Sequence, residues 1–158
     1  MRAVLTEKRA ELSRWVTFRL ADELYGINVM QVQEVLRLTD LAPVPGAPHF
    51  VMGIINLRGN VVTVLDARKL LSLDSGEITD NARIMLIESG NMTVGLLVDS
   101  VAEVASISTG DIDPPPTLGK EGGSRYIQGV YSTEGRILIL IDLDKLISNE
   151  QRGALRLF

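Results

Sequence analysis

The chain has 158 residues, of which 46% are hydrophobic and 23% charged, with a formal net charge of −4. That is enough apolar material for one compact domain or two very small ones. The acidic balance, without a basic block, speaks against a nucleic-acid partner, and the lack of any cysteine removes disulfides, thiolate nucleophiles and thiolate metal sites.

Met1 to Arg14 reads as an N-terminal extension. Lys8, Arg9 and Glu11 interrupt it, so it lacks the apolar stretch of a signal peptide. The longest apolar run, Ile137 to Ile141, falls far short of the roughly 20 residues that span a bilayer. No direct membrane insertion is therefore expected, and the absence of cysteine fits a reducing cytoplasm.

From Trp15 the pattern is that of strands. Val16, Phe18 and Leu20 alternate with Trp15, Thr17 and Arg19, the period of a half-buried strand. Tyr25 to Val29 continues the alternation after a hairpin turn at Ala21-Asp22-Glu23. Gln31 to Leu38 is ambiguous and could be a helical turn running into a strand. Pro43, Pro45, Gly46 and Pro48 then forbid regular structure. Val51 to Leu57 and Val61 to Leu65 form a second strand pair around Arg58-Gly59-Asn60, where Gly59 suits a tight turn. A short helix from Ala67 to Leu71 closes this half.

The second half repeats the plan. Arg83 to Glu88 and Met92 to Val98 predict a hairpin, and Val101 to Ile107 matches the ambiguous segment. A long loop follows from Ser108 to Ser124. Tyr126 to Tyr131 and Arg136 to Ile141 make the last pair, and Asp142 to Asn149 reads as a closing helix. Gly26, Ile27, Val29, Val32, Glu34 and Val35 align with Gly95, Leu96, Val98, Val101, Glu103 and Val104, a shift of 69. Gly53, Gly59, Asp66, Lys69 and Leu70 align with Gly129, Gly135, Asp142, Lys145 and Leu146, a shift of 76. Agreement of spacing and element order points to an internal duplication. The expected fold is all-β with short helices: two small five-stranded β-barrels packed on each other. The first barrel would span about 15–72, the second about 83–148, with a tail at 149–158. Ile137 to Ile141 and Val61 to Leu65 are apolar on both faces, so each should face its own barrel and the other one.

Motifs for chemistry are thin. His49, the only histidine, sits between Pro48 and Phe50 with no nucleophile elbow in the chain. Asp111 and Asp113 are followed by prolines instead of further calcium ligands. Gly119-Lys120 lacks the glycine spacing of a phosphate loop. Asp66 and Asp142 occupy matching positions and read as helix N-caps. No enzymatic activity and no cofactor or metal are expected.

What remains is Asn56-Leu57-Arg58-Gly59, a hairpin tip that offers a guanidinium between apolar strands. Around it lie Tyr25-Gly26-Ile27, Val32-Gln33-Glu34-Val35, Val44-Pro45 with Pro48, Gly53-Ile54, and Val61, Val64, Asp66 and Arg68. Val94-Gly95-Leu96, Val98-Asp99, Val101, Val104, and Ile112 with Pro114 and Pro116 follow. This set resembles the CheW family of chemotaxis coupling proteins over roughly Trp15 to Ile147. Ala67 departs from the pattern, where the family often has Leu, and the tail with Leu155, Leu157 and Phe158 has no counterpart.

The resemblance implies two five-stranded barrels and a scaffold without catalysis. It implies two partners, the cytoplasmic tip of chemoreceptors and the regulatory domain of the chemotaxis histidine kinase, and a place in the cytoplasm at membrane receptor arrays. It assigns Val32, Glu34, Val35 and Arg58 to receptor binding, and Val101 and Val104 to the kinase. Gly53, Gly59 and Gly95 would be structural or turn positions. Opposite charge leads us to expect Glu34 and Arg58 to approach each other. The competing readings are a coupling protein of a non-flagellar chemosensory-like pathway, an excised kinase regulatory domain, disfavoured by the start at Met1, and an oligonucleotide-binding barrel.

Overall fold

The computed structural model describes residues 11–115 and 125–147. Expectations for the residues before 11, for Pro116 and Gly119-Lys120, and for the tail with Leu155, Leu157 and Phe158 lie outside the described residues.

The alternating segments form strands as the sequence predicts. β1 (Leu12–Leu20) and β2 (Glu23–Asn28) make a hairpin, with Leu20 paired to Glu23 and Trp15 to Asn28. The ambiguous segment resolves into a 3-10 turn, Val29–Gln31, followed by β3 (Val32–Arg37). Asn28 caps that turn, its side chain accepting from the Met30 N–H. β4 (Val51–Leu57) and β5 (Asn60–Asp66) lead into α1 (Ala67–Leu70). Then come β6 (Arg83–Ser89), β7 (Met92–Val98), β8 (Ser100–Ser108), β9 (Ile127–Thr133), β10 (Arg136–Ile141) and α2 (Leu143–Leu146).

The strands build two five-stranded sheets. Sheet one runs β8-β1-β2-β10-β9, and sheet two runs β3-β6-β7-β5-β4. This corrects the boundaries 15–72 and 83–148, because neither sheet is contiguous in the chain. Sheet one takes β1 and β2 from the first half and three strands from the second; sheet two does the reverse. The joins are parallel pairs, Gly26 with Leu140 and Gly95 with Val64. A parallel pair needs a long crossover, and the local alternation of each strand carries no record of which distant strand it meets. Each sheet also ends on two strands that are not laddered to each other, so it is a curled open sheet and not a closed barrel. Single bridges, Ala42 to Ile54 and Asp113 to Val130, extend the β4 and β9 edges.

The duplication is realised in the pairing itself. Gly53 pairs with Val64, as Gly129 pairs with Leu140. The Asp66 N–H donates to Phe50 O at 2.8 Å, and its match, the Asp142 N–H, donates to Tyr126 O at 2.8 Å. Both aspartates cap helices: Asp66 accepts from the Arg68 N–H at 2.9 Å and Asp142 from the Lys145 N–H at 3.2 Å.

Three cores follow. Between the sheets, Phe18, Leu20 and Ile27 meet Leu65, Met85, Ile87 and Leu96, with Leu70, Leu143 and Leu146 of the helices. Sheet two keeps its own core around Val64, Ile84, Leu86 and Leu97, and sheet one around Trp15, Ile107, Leu138 and Leu140. The middle strands are thus buried on both faces, most fully β6, where Ile84, Met85, Leu86 and Ile87 are all buried. β10 behaves as expected along most of its length: Leu138 and Leu140 fill their own sheet, while Ile139 and Ile141 face the shared core. Its second residue, Ile137, and the matching Val61 of β5 are instead exposed, at 53% and 68%.

Two outcomes test this architecture. Residues 1–80 expressed alone should show no cooperative unfolding transition, since β2 and β5 then lack their parallel partners; co-expression with residues 81–158 should restore a folded complex. A folded isolated half would refute the exchange. At Gly95 an added Cβ would lie 2.7 Å from Ile84 Cγ2. Gly95→Val should therefore destabilise the protein by about 1–3 kcal/mol in urea unfolding.

Candidate interaction site

The β4–β5 hairpin is closed by Arg58 and Gly59, with Leu57 paired to Asn60. Both turn residues have positive φ, 52° and 89°, the requirement of a type I′ turn that matches strand twist. Gly59 meets that requirement without strain, and an added Cβ would touch nothing, so backbone angle and not space selects glycine. Asn56 Oδ1 accepts from the Gly59 N–H at 3.0 Å and holds the turn. Each member of Asn56-Leu57-Arg58-Gly59 except Leu57 thus has a local physical role, and the turn projects the guanidinium outward.

Glu34 reaches it from β3. Val32 pairs with Ile87 but Glu34 with Leu86, so Gln33 is an extra residue, a β-bulge. Bulges re-aim the side chains beside them. Arg58 Nη2 donates to Glu34 Oε1 at 2.8 Å and Nη1 to Oε2 at 3.4 Å. The side chains are 67% and 37% exposed. The hydrogen bonds from Arg58 hold the Glu34 carboxyl below its ordinary pKa, and Glu34 raises that of the guanidinium. The pair is therefore fully charged at neutral pH. Its contribution is present above the carboxyl's unfolded pKa and is lost as pH falls through the lowered folded value.

Glu34 and Arg58 line a shallow groove with Val61, Leu86 and Thr93. Of the apolar residues assigned with them, Val35 is 42% exposed, whereas Val32 turns partly inward against the shared core. Sheet one repeats this division. Val104 is 55% exposed and Val101 packs partly against the shared core. A matching groove there is lined by Glu103, Tyr131, Glu134, Arg136 and Ile137. Its hairpin turn again has positive φ, Glu134 at 48° and Gly135 at 75°, so a carboxylate stands where sheet two has Arg58.

The structure thus brings Glu34 and Arg58 together and leaves Val101 and Val104 on the other sheet. Sequence reasoning missed Val61, Ile137 and the 86% exposed Met30. The signal for Val61 and Ile137 was their matched place at the start of paired strands. Gly53 and Gly95 are fixed by close approach: an added Cβ would lie 2.7 Å from Ala42 O at the first and 2.7 Å from Ile84 at the second. His49 packs edge-on against Phe50 with centroids 5.6 Å apart. Among the described residues no group of three or more His, Cys, Asp or Glu is placed to hold a metal ion.

An exposed pair governs charge more than folding. Arg58→Ala should leave the melting temperature unchanged to within about 2 °C, as surface substitutions do. The same change should return the Glu34 carboxyl titration, followed by carbon-detected NMR, upward to the ordinary range. A large loss of stability would make Arg58 structural.

A family model, the CheW-like domain, matches residues 14–151. "Chemotaxis protein CheW" of Rhizobium meliloti is 34% identical over 139 residues, covering 88% of this chain and 90% of the relative. "Protein FrzA" of Myxococcus xanthus is 32% identical over 155 residues, covering 97% and 96%. The crystal structure of the scaffolding protein TtCheW from Thermoanaerobacter tengcongensis superposes with a TM-score of 0.79 at 32% identity, covering 88% of this chain and 90% of that one. The fold agrees with these matches, and the chain belongs to the CheW-like domain family.

Proposed function

We propose that this chain is a cytoplasmic adaptor of chemotaxis signalling that holds a chemoreceptor tip on sheet two and the regulatory domain of a histidine kinase on sheet one. Family membership and the scaffold relative support the adaptor role. The observation that carries the two-partner reading is the matched pair of exposed faces on separate sheets of one packed unit. Exposed Val61 with Glu34 and Arg58 stands on one, and exposed Ile137 with Glu103 and Glu134 stands on the other. An apolar residue with a charged rim suits an interface anchor. The receptor tip, an α-helical hairpin, would lay an apolar stripe into the groove beside Val61. Val32 and Val101 support these faces from beneath through the shared core.

The adaptor performs no chemistry of its own and binds no nucleotide. It reaches the membrane through its partners: among the described residues no helix is long and apolar enough to cross one. Each contact should be modest, about 800 Å² or less per partner, as in transient signalling. Oligomeric receptors and kinases then supply avidity.

Competition binding with a receptor fragment and the kinase domain tests this. Arg58→Glu should weaken the receptor contact at least about 10-fold and leave the kinase within about 3-fold; Val104→Glu should do the converse. A ternary complex supports two surfaces. Strict mutual exclusion, with each substitution abolishing both contacts, means one shared site and refutes the arrangement. Micromolar ATP affinity by calorimetry would refute the non-enzymatic reading.

A further inference from the structure

Arg68 and Asp99 lie outside both docking faces, yet they form a forked ion pair with further hydrogen bonds to the backbone. Arg68 is the second residue of α1, directly after sheet two's β5. Its Nε donates to Asp99 Oδ1 at 3.0 Å and its Nη2 to Asp99 Oδ2, a two-pronged pair. Its Nη1 donates to Asp74 O at 3.0 Å in the connection between the two halves. The backbone of that connection rests on the guanidinium, since a Cβ added at Gly76 would lie 2.3 Å from Arg68 Cζ. The side chain is only 17% exposed.

Asp99 is the single residue between β7 and β8, where the chain leaves sheet two and enters sheet one. It also grips sheet one's β1–β2 turn. Its Oδ2 accepts from the Ala21 N–H at 2.8 Å, and its own N–H donates to Arg19 O at 3.1 Å. One guanidinium therefore ties together sheet two's helix, the connection, the crossover and, through Asp99, the β1–β2 turn of sheet one.

The other crossover, Val29–Gln31, is built differently. Asp144 of α2, the match of Arg68, accepts from Gln31 Nε2 at 3.3 Å and from Ser89 Oγ at 2.7 Å. The duplicated position carries the opposite charge, and at the β7–β8 crossover the Arg68–Asp99 ion pair is forked. The division of labour is physical. The core between the sheets is apolar and its attraction is not directional. A planar guanidinium bonded by both prongs is directional.

We propose that Arg68 is a positioning residue for coupling: by locking Asp99 at the crossover it fixes the orientation of one sheet against the other, and so the relation between the two docking faces. This rests on the two-face adaptor reading above. Arg68 touches neither partner; it determines whether both can be engaged in the geometry that transmits a signal.

The chain has no cysteine, so spin labels can be placed cleanly at Arg37→Cys on sheet two and Ser132→Cys on sheet one. Double electron–electron resonance on the full chain should give a narrow distance distribution. Arg68→Ala should broaden it at least about twofold and speed hydrogen exchange at the Ala21 amide about 10-fold. Receptor-fragment and kinase-domain affinities, measured singly, should stay within about 3-fold, while receptor-dependent kinase activation falls about 10-fold. Arg68→Lys keeps the charge without the fork and should fall between; it also serves if the alanine variant does not fold. An unchanged distance distribution in these variants overturns the proposal, as does a broadened one with full activation. A wild-type chain that binds both partners yet never supports activation instead refutes the adaptor reading, and the distance and exchange measurements still decide the role of Arg68.

Discussion

Phe18, Leu20 and Ile27 from one sheet meet Met85, Ile87 and Leu96 from the other, and this shared core depends on the parallel pairs that exchange strands between the halves. β2 and β7 each sit in the middle of a sheet, with a strand from their own hairpin on one side and one from the opposite half on the other. Without that exchange each half would hold a hairpin and a separate strand set with unpaired edges.

The exchange explains where burial is deepest. Strands shared between a sheet's own core and the common core cannot present a polar face, so β6 is apolar on both sides. The polar side chains that are buried there have partners. Thr17 lies opposite the extra residue of the β8 bulge, donating to Glu103 O at 2.7 Å and accepting from the Glu103 N–H at 2.9 Å. A hydroxyl thus stands in for the ladder bonds that the bulge interrupts.

Charge is divided between two tasks according to exposure. The Glu34–Arg58 pair faces water, where an ion pair is weak and exchangeable, a setting suited to recognition. The Arg68–Asp99 pair is partly covered by the backbone of the connection, where a fork of hydrogen bonds is less screened and better able to hold a geometry. The duplication supplied two equivalent frameworks, and substitution at matched positions separated them. Arg58 against Glu134, and Arg68 against Asp144, place opposite charges on equivalent backbones.

Strands, caps and turns depend on neighbours a few residues away, so the sequence shows them directly. The alternation of Val16, Phe18 and Leu20, the aspartates at 66 and 142, and the Arg58-Gly59 turn all express local sterics and hydrogen bonding. It also exposed the duplication and brought Glu34 and Arg58 under one motif. Which strands share a sheet emerges in the folded chain, because a period of two names the buried face and not the strand beside it. The bulges in β3 and β8 put Val32 and Val35, and likewise Val101 and Val104, on one sheet face, and the tertiary structure alone decided that Val32 and Val101 pack against the shared core while Val35 and Val104 stay exposed. And it alone joined Arg68 to Asp99, 31 residues apart, since only the crossover between exchanged sheets brings those two side chains together.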